Sequence, residues 1–401
     1  MKRKVIYLAV GVGIIAAIGA ARTYEESLAR QAGYLGPEVI FYRESASASE
    51  PGDARASAGL ASDKKKKAGT EKSPSPPPAV TTAPFPTASP EKKGYEEILS
   101  DGKIKVYDTA TVVLDDSAYE LYTYVNSAAS RYAKAVNKFT RNLDSSVKVY
   151  NMVVPTSVGI TFPDNKRKSL NSSSQKEALE DIEHKLSGRE VFVSLYDKLM
   201  CHRTEYIFFR TDHHWTSLGA YYAYEAFCEA KNMAPNQLHE YKVKKTENFT
   251  GSFYRETYND KNLRADTLEA IYPKSQQLSM KYTTTEGSVI SAPVIDDAGK
   301  YGSGMKYSAY IAGDNPYTVI QNKGLTDGSS CVVVKESYGN ALVPFLADHY
   351  QTIYVIDYRY WEGKLVDFVK ENKTREVILV NNISMTRNSY LIGKLTSCLN
   401  N

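Results

Sequence analysis

The chain opens with the cationic start Met1-Lys2-Arg3-Lys4 and an uncharged, largely apolar run from Val5 to Ala21. A helix over that run reaches about 25 Å, short of the roughly 30 Å hydrocarbon core yet able to span it with slight thinning. Gly19-Ala20-Ala21 also presents small residues for signal cleavage. An uncleaved anchor and a cleaved signal therefore compete, and both leave the positive end inside and export the rest. The helical pattern extends to Tyr42, and then apolar positions almost vanish. The stretch from Glu44 to Lys93 is rich in Ser, Ala, Pro and Lys, with Lys64-Lys65-Lys66-Lys67 followed by Pro74-Ser75-Pro76-Pro77-Pro78. With nothing to bury it reads as an extended linker of roughly 40 Å r.m.s. span. The lysine run reads as a solvated charge run, the alternative being a contact for anionic cell-wall polymer or lipid headgroups.

From Tyr95 onward two hydrophobic periods alternate. A strand pair is expected at Lys103–Tyr107 and Thr111–Leu114, and helix-period positions run from Ala118 to Asn142. Short β-rich runs follow at Val147–Val154, Val191–Leu195, Tyr206–Phe209, Cys331–Val334, Ile353–Ile356 and Val377–Val380. Several are apolar without a break, as strands covered on both faces of a parallel sheet should be. Helical patterns lie between them, at Gln175–Leu186, Ser217–Lys231, Asn340–Ala347 and Leu365–Asn372. The alternation predicts a three-layer doubly wound α/β fold with a mainly parallel sheet and its sites at the C-terminal ends of strands. Residues 236–300 are less regular and read as an excursion over the sheet. Three segments result: an anchor or signal with its helical extension at 1–43, a disordered linker at 44–94, and one globular domain at 95–401.

Composition narrows the class. Hydrophobic residues make up 42% and charged residues 24%, which excludes wholly disordered, collagen-like and disulfide-dense chains. A net charge of +4 is too mild for a dedicated nucleic-acid binder. The four cysteines, Cys201, Cys228, Cys331 and Cys398, form no C-x-x-C pair, which argues against a structural zinc site. Tyrosine is the excess, 31 of 401 residues, suited both to cores and to stacking on sugar rings.

Two segments carry candidate chemistry. Arg210-Thr211-Asp212-His213-His214-Trp215-Thr216 follows a β-rich run and precedes a helix. An Asp two residues before a His can hold the imidazole in one tautomer and stabilise its protonated form, as a general base requires. A metal half-site, or a plain capping loop with Thr216 as cap, fits the same residues. The second segment, Lys335-Glu336-Ser337-Tyr338-Gly339-Asn340-Ala341, leads from an apolar strand into a helix and places Ser337 where helix N–H groups can cradle an oxyanion. It lacks the G-x-S-x-G spacing, and a serine that merely caps the helix is the simpler reading.

Together the segments resemble the bacterial DHHW proteins. The likeness lies in Asp212-His213-His214-Trp215 within its Arg-Thr frame, Glu336-Ser337-Tyr338-Gly339-Asn340-Ala341 with Pro344-Phe345, Val355 to Trp361, and Val153-Val154-Pro155-Thr156-Ser157. That family is similar to the alginate O-acetylation proteins, whose fold is SGNH-hydrolase-like with Asp-x-His placed before Ser. The resemblance implies His214 as base, Asp212 as its orienter and Ser337 as nucleophile. It also puts Glu336 where the family usually has Asp. Ser337 N–H, Gly313 and Asn315 are implied oxyanion donors, and Arg359, Tyr338 and His213 are further substrate-binding candidates.

The expectation is therefore an extracytoplasmic serine O-acetyltransferase or acetyl esterase acting on a cell-envelope or secreted polysaccharide. It would be held at the cell membrane by one N-terminal anchor, or secreted if that segment is cleaved. No metal or organic cofactor and no nucleic acid is expected, and the resemblance implies a membrane-bound O-acyltransferase as partner. The rivals are a non-catalytic polysaccharide-binding protein with tyrosine platforms and a metal-dependent hydrolase built on the His pair.

Overall fold

The computed structural model describes residues 94–107 and 110–400. The expected anchor and the linker up to residue 93 lie outside the described residues. No helix among the described residues is long and apolar enough to cross a membrane. Tyr95–Asn401 forms one compact unit.

Thirteen strands lie among the described residues. In chain order β1 (Lys105–Val106), β2 (Thr111–Leu114) and β3 (Ser117–Glu120) form a small antiparallel sheet. The central sheet takes β4 (Lys148–Val154) and β5 (Val191–Phe192); β6 (Lys242–Phe249) and β7 (Asp266–Tyr272) pair apart from it. The rest of the central sheet is β8 (Leu278–Thr283), β9 (Val289–Ala292), β10 (Tyr317–Asn322), β11 (Ser330–Lys335), β12 (Thr352–Asp357) and β13 (Glu376–Asn382). Its order is β5-β4-β13-β11-β12-β10-β8-β9. The run from β5 to β12 is parallel, and β10, β8 and β9 continue it antiparallel. The sheet is thus mixed, where the apolar runs predicted a mainly parallel one. Residues 236–300 are the reason: instead of passing over the sheet, they supply β8 and β9, a hairpin closed at Gly287 (φ 84°). Hairpins need no crossover helix, and these strands face water along much of their length, so they carry no continuous apolar run.

The alternation of strand side chains builds two cores. Tyr150, Met152, Val333, Val355 and Val380 face one side, against α3 (Ser217–Lys231) and α4 (Gly339–Leu346). Val149, Val153, Val334, Ile356 and Leu379 face the other, against α1 (Asn126–Asn142), α2 (Gln175–Lys185), α5 (Leu365–Glu371) and α6 (Ser389–Asn400). With both faces covered, the middle strands bury every position of the run Cys331–Lys335.

Two elements differ from the sequence pattern for local reasons. Helix α1 begins at Asn126, eight residues later than the period suggested, because the chain reverses at Asp115 (φ 55°) and Ser117–Glu120 pairs back onto β2. Tyr206–Phe209 makes only the isolated bridge Phe208–Trp215, since the chain turns at once and pairs with itself. There Phe209 N–H donates to His214 C=O (3.2 Å) and Thr216 N–H to Ile207 C=O (3.0 Å). All four cysteines are free thiols, and Cys228, Cys331 and Cys398 are buried.

His349 lies at the opposite end of the sheet from the C-terminal strand ends, hydrogen-bonded to the Tyr224 hydroxyl (2.5 Å). Burial, reinforced by Lys231 and Lys274, lowers its pKa from 6.5 to about 4. Between those values the unfolded chain binds a proton that the native state lacks, so stability falls as pH drops through that window. The urea midpoint is expected to decline from about pH 6.5 to about pH 4, and His349→Asn is expected to flatten part of that decline. Equal pH slopes in the two proteins would contradict it.

Candidate functional site

The loop between Phe209 and Thr216 is held from below by Asp266 on β7. This fully buried carboxyl accepts Arg210 N–H (2.9 Å) and Thr211 N–H (2.8 Å), and burial pushes its pKa up. From the side, Ala118 N–H on β3 donates to Arg210 C=O (2.8 Å). Thr216 caps α3, its Oγ accepting Gly219 N–H (3.3 Å). Gly219 is needed there, because a Cβ would stand 2.3 Å from Ile207 O.

This framework aims Asp212 at His214. Asp212 Oδ1 accepts the His214 Nδ1 hydrogen at 2.6 Å and the His214 backbone N–H at 3.1 Å. Its Oδ2 accepts Ser252 N–H at 2.9 Å. Burial alone would raise the Asp212 carboxyl, but the charges of His214 and His213 and these hydrogen bonds outweigh it and hold it well below the usual carboxylate range. An ionised Asp212 accepting from Nδ1 fixes the tautomer, leaving Nε2 as the lone-pair nitrogen. His214 Nε2 lies 2.7 Å from Ser337 Oγ, and its ring stacks on Tyr307 with centroids 3.9 Å apart and planes at 9°.

Ser337 lies two residues past the last residue of β11. Its turn closes through Gly339 N–H to Glu336 C=O (3.0 Å) and Asn340 N–H to Ser337 C=O (3.1 Å). Gly339 allows this, because a Cβ would stand 2.5 Å from Lys335 Cβ. The hydroxyl is no helix cap: residue Tyr338 holds the cap position, and Ser337 Oγ turns to His214 and, at 3.2 Å, to Glu336 Oε2. The Ser337 N–H finds no acceptor among the described residues. Two bonds clamp the serine turn to the histidine loop: Trp215 Nε1–H donates to Tyr338 C=O (3.0 Å), and the Tyr338 hydroxyl donates to His213 C=O. Tyr307 O–H adds a bond to Ser337 C=O (3.2 Å).

A buried charge cluster supports the strand end. Lys335, 1% exposed, lies 2.8 Å from Asp357 and 3.1 Å from Asp314. Arg359 grips Asp357 with two bonds (2.8 and 2.6 Å) and reaches Asp314 at 2.9 Å. Burial opposes ionisation of Asp314, yet Lys335 and Arg359 prevail and hold its pKa well below the usual range.

The structure therefore brings Asp212, His214 and Ser337 into one hydrogen-bonded chain and places the other expected residues differently. His213 sits beside His214, ring centroids 3.9 Å apart, with Nδ1 on Ser252 Oγ (2.7 Å). Burial and the neighbouring His214 lower its pKa. Arg359 is held by both carboxylates, Asp357 and Asp314. Gly313 N–H already donates to Tyr310 C=O (2.9 Å), and the Asn315 amide closes its own turn on Ala312 C=O (3.0 Å), so neither bond points to an oxyanion. Tyr338 is buried and acts as a clamp. Tyr307, Ser252 and the Asn382 partner of Glu336 were not signalled: each comes from a part of the chain remote from the two motifs and meets them only through tertiary packing.

Such an arrangement can activate a hydroxyl, and the Ser337 N–H at the helix start can face an oxyanion. Asp212, His213 and His214 also bring ligand atoms within 4.8 Å of one another.

The fold and these residues define a mixed α/β protein with a large central sheet and an Asp–His–Ser hydrogen-bond chain at the C-terminal ends of its strands. A family model described as DHHW protein matches residues 100–356. The crystal structure of a DHHW family protein from Eubacterium siraeum is 30% identical, with a TM-score of 0.68, covering 76% of this chain and all (100%) of that one. The chain belongs to the DHHW family. Bacillus cereus PatB1 shares the fold at 19% identity and a TM-score of 0.58, over 73% of this chain and 99% of that one. The structure of PatB1 with a sulfonyl adduct compares at 18% and 0.59, over 72% and 99%. No curated protein matches the chain.

Two substitutions probe this framework. A Cβ on Gly251 would stand 2.1 Å from Asp212 Oδ2. Gly251→Ala is expected to cost about 1–3 kcal/mol and to shift the low-field proton resonance of His214 Nδ1–H. An unchanged resonance would contradict the packing described. Lys335→Met leaves Asp357 and Asp314 short of a cation and is expected to cost about 3–5 kcal/mol in urea unfolding. A loss under about 1 kcal/mol, the scale of an exposed pair, would show the cluster to be solvated.

Proposed function

We infer that the chain is an extracytoplasmic serine O-acetyltransferase acting on a cell-envelope or secreted polysaccharide, or an acetyl esterase where water replaces the sugar hydroxyl. The observation that carries this reading is the linked pair of hydrogen bonds, Asp212–His214 at 2.6 Å and His214–Ser337 at 2.7 Å. Ser337 attacks the acetyl carbonyl as its proton passes to His214 Nε2, and Asp212 stabilises the imidazolium. The proton leaves with the donor alcohol, and a sugar hydroxyl then takes the acetyl group from Ser337 by the same path reversed. The Ser337 N–H supports the oxyanion. The extracytoplasmic compartment is proposed from the N-terminal sequence pattern, and a membrane-bound O-acyltransferase partner from the family resemblance alone.

The tyrosines lend the binding-only rival little support. Tyr122, Tyr132, Tyr150, Tyr224, Tyr310 and Tyr358 are among the largest fully buried side chains, whereas Tyr95, Tyr258, Tyr360 and Tyr390 are exposed.

With p-nitrophenyl acetate as probe, turnover is expected to be insensitive to chelator. Ser337→Ala and His214→Ala should lower it by on the order of 10⁴-fold or more, and Asp212→Asn by on the order of 10⁴-fold through the wrong tautomer. His213→Ala should be far milder. Melting temperature should change little in Ser337→Ala. Parent-like turnover in that variant would overturn the serine reading, and loss on chelation would favour the metal hydrolase.

A further inference from the structure

Ser337 stands between two partners, and the hydrogens around it can be counted. Ser337 has one hydroxyl hydrogen for two neighbours; in the tautomer whose Nδ1 donates to Asp212 and whose Nε2 accepts, that hydrogen goes to Nε2 across 2.7 Å. On the other side Glu336 Oε2 lies 3.2 Å from the same Oγ. With the hydroxyl hydrogen directed to His214, that second contact contains a hydrogen only if Oε2 carries one. The rest of the carboxyl is compatible with this. Oε1 accepts Asn382 N–H (3.0 Å) and Oε2 accepts Asn382 Nδ2–H (3.1 Å). The amide is oriented by Met385 N–H, which donates to Asn382 Oδ1 at 3.3 Å. Glu336 is 4% exposed, and no cation lies within ion-pair distance of it among the described residues.

We propose that Glu336 is a carboxylic acid in the resting protein and a third partner of the nucleophile, donating from Oε2 to Ser337 Oγ while His214 accepts the hydroxyl hydrogen. The proposal rests on the serine-ester reading above. Burial raises the Glu336 pKa, and the like charge of Asp314 adds to this, while Arg359, the Asn382 N–H and His213 act against them. Tyr307, Tyr338 and Tyr358 are the other titratable groups that face it.

Its effect falls on the second half of the reaction. The acceptor hydroxyl gives its proton to His214 Nε2 as its oxygen bonds to the ester carbon. On collapse the C–Oγ bond breaks and its electron pair remains on Oγ, which regains a proton from His214. The Glu336 hydrogen bond stabilises the negative charge that grows on Oγ as that bond breaks. An ionised carboxylate in the same place would oppose it.

The test uses the full chain and p-nitrophenyl acetate. Glu336→Gln, whose amide can still donate to Oγ, is expected to stay within about threefold of the parent rate. Glu336→Leu should keep the initial p-nitrophenolate burst but lower the steady-state rate by about tenfold or more, the worth of a hydrogen bond to a charged group. Infrared spectra at neutral pH should show a protonated-carboxyl band in the parent that Glu336→Gln lacks. Absence of that band overturns the proposal. So does a Glu336→Leu rate equal to the parent's, or a loss in Glu336→Gln as large as in Glu336→Leu. If the leucine variant fails to fold, the glutamine variant and the band decide. Ser337→Ala in the same assay separates the two ideas. Undiminished turnover there, or none in the parent, removes the serine reading and this proposal together. A silent Ser337→Ala beside a parent-like Glu336→Leu removes only the proposal.

Discussion

The site depends on holding together two segments that are 123 residues apart in sequence. A hydrogen bond between side chains on separate loops is soon lost if either loop drifts by an ångström, because its strength falls steeply with distance and angle. Here the Trp215 indole reaches the carbonyl beside Ser337, and the Tyr338 hydroxyl reaches the carbonyl beside His214. Each segment thus lends the other a rigid aromatic side chain and receives one. The Trp215 bond is buried and the Tyr338 bond partly so, which limits the water that can compete for them.

The second constraint is electrical. A lysine at the last position of the central strand is costly to bury, and removing its charge from water is tolerable only with partners in place. Asp357, at the matching end of β12, is one such partner, since Lys335 and Asp357 are paired in register. The other, Asp314, comes from a strained turn. Ile311, Ala312 and Gly313 take φ values of 45°, 58° and 77° in succession, and a buried β-branched residue rarely adopts that conformation. Ile311 N–H on Val294 C=O (2.8 Å) holds the turn in place. Local backbone strain is therefore the condition for a neutralised strand end on which the Ser337 turn can sit.

Much of this was legible in the chain, for a physical reason that also marks where reading fails. Strands covered on both faces bury every residue, so Cys331–Val334 and Val377–Val380 stand out as unbroken apolar runs, and Thr216 caps its helix where the motif ends. Asp212 and His214 are two residues apart, so their contact is a local fact that spacing can suggest. Edge strands such as β9 are half-solvated and carry a diluted pattern, which hid the antiparallel half of the sheet. Ser252 and Tyr307 reach the site only through tertiary packing, and nothing near them in sequence reflects the neighbour they meet. For Arg359 the sequence left a substrate contact and an ion pair equally open, and the structure shows the ion pair, with Asp357 two residues before it.

The tyrosine excess has a role that composition left open. A buried phenol supplies apolar area like phenylalanine and, where its hydroxyl finds a partner, ties a hydrophobic layer to a particular group. Tyr132 reaches Asn151 Oδ1 on β4 (2.6 Å), Tyr310 bonds the Ser217 hydroxyl at the head of α3 (2.7 Å), and Tyr307 reaches Ser337 C=O. Tyr307 shows the value of the combination: its face packs on the imidazole of His214 while its hydroxyl holds the turn that carries the serine. Phenylalanine would supply the stacking but leave the carbonyl only its turn bond from Asn340 N–H. In this protein Tyr307, beneath the site, positions both members of the His214–Ser337 pair, so at least part of the tyrosine excess serves packing that holds the site.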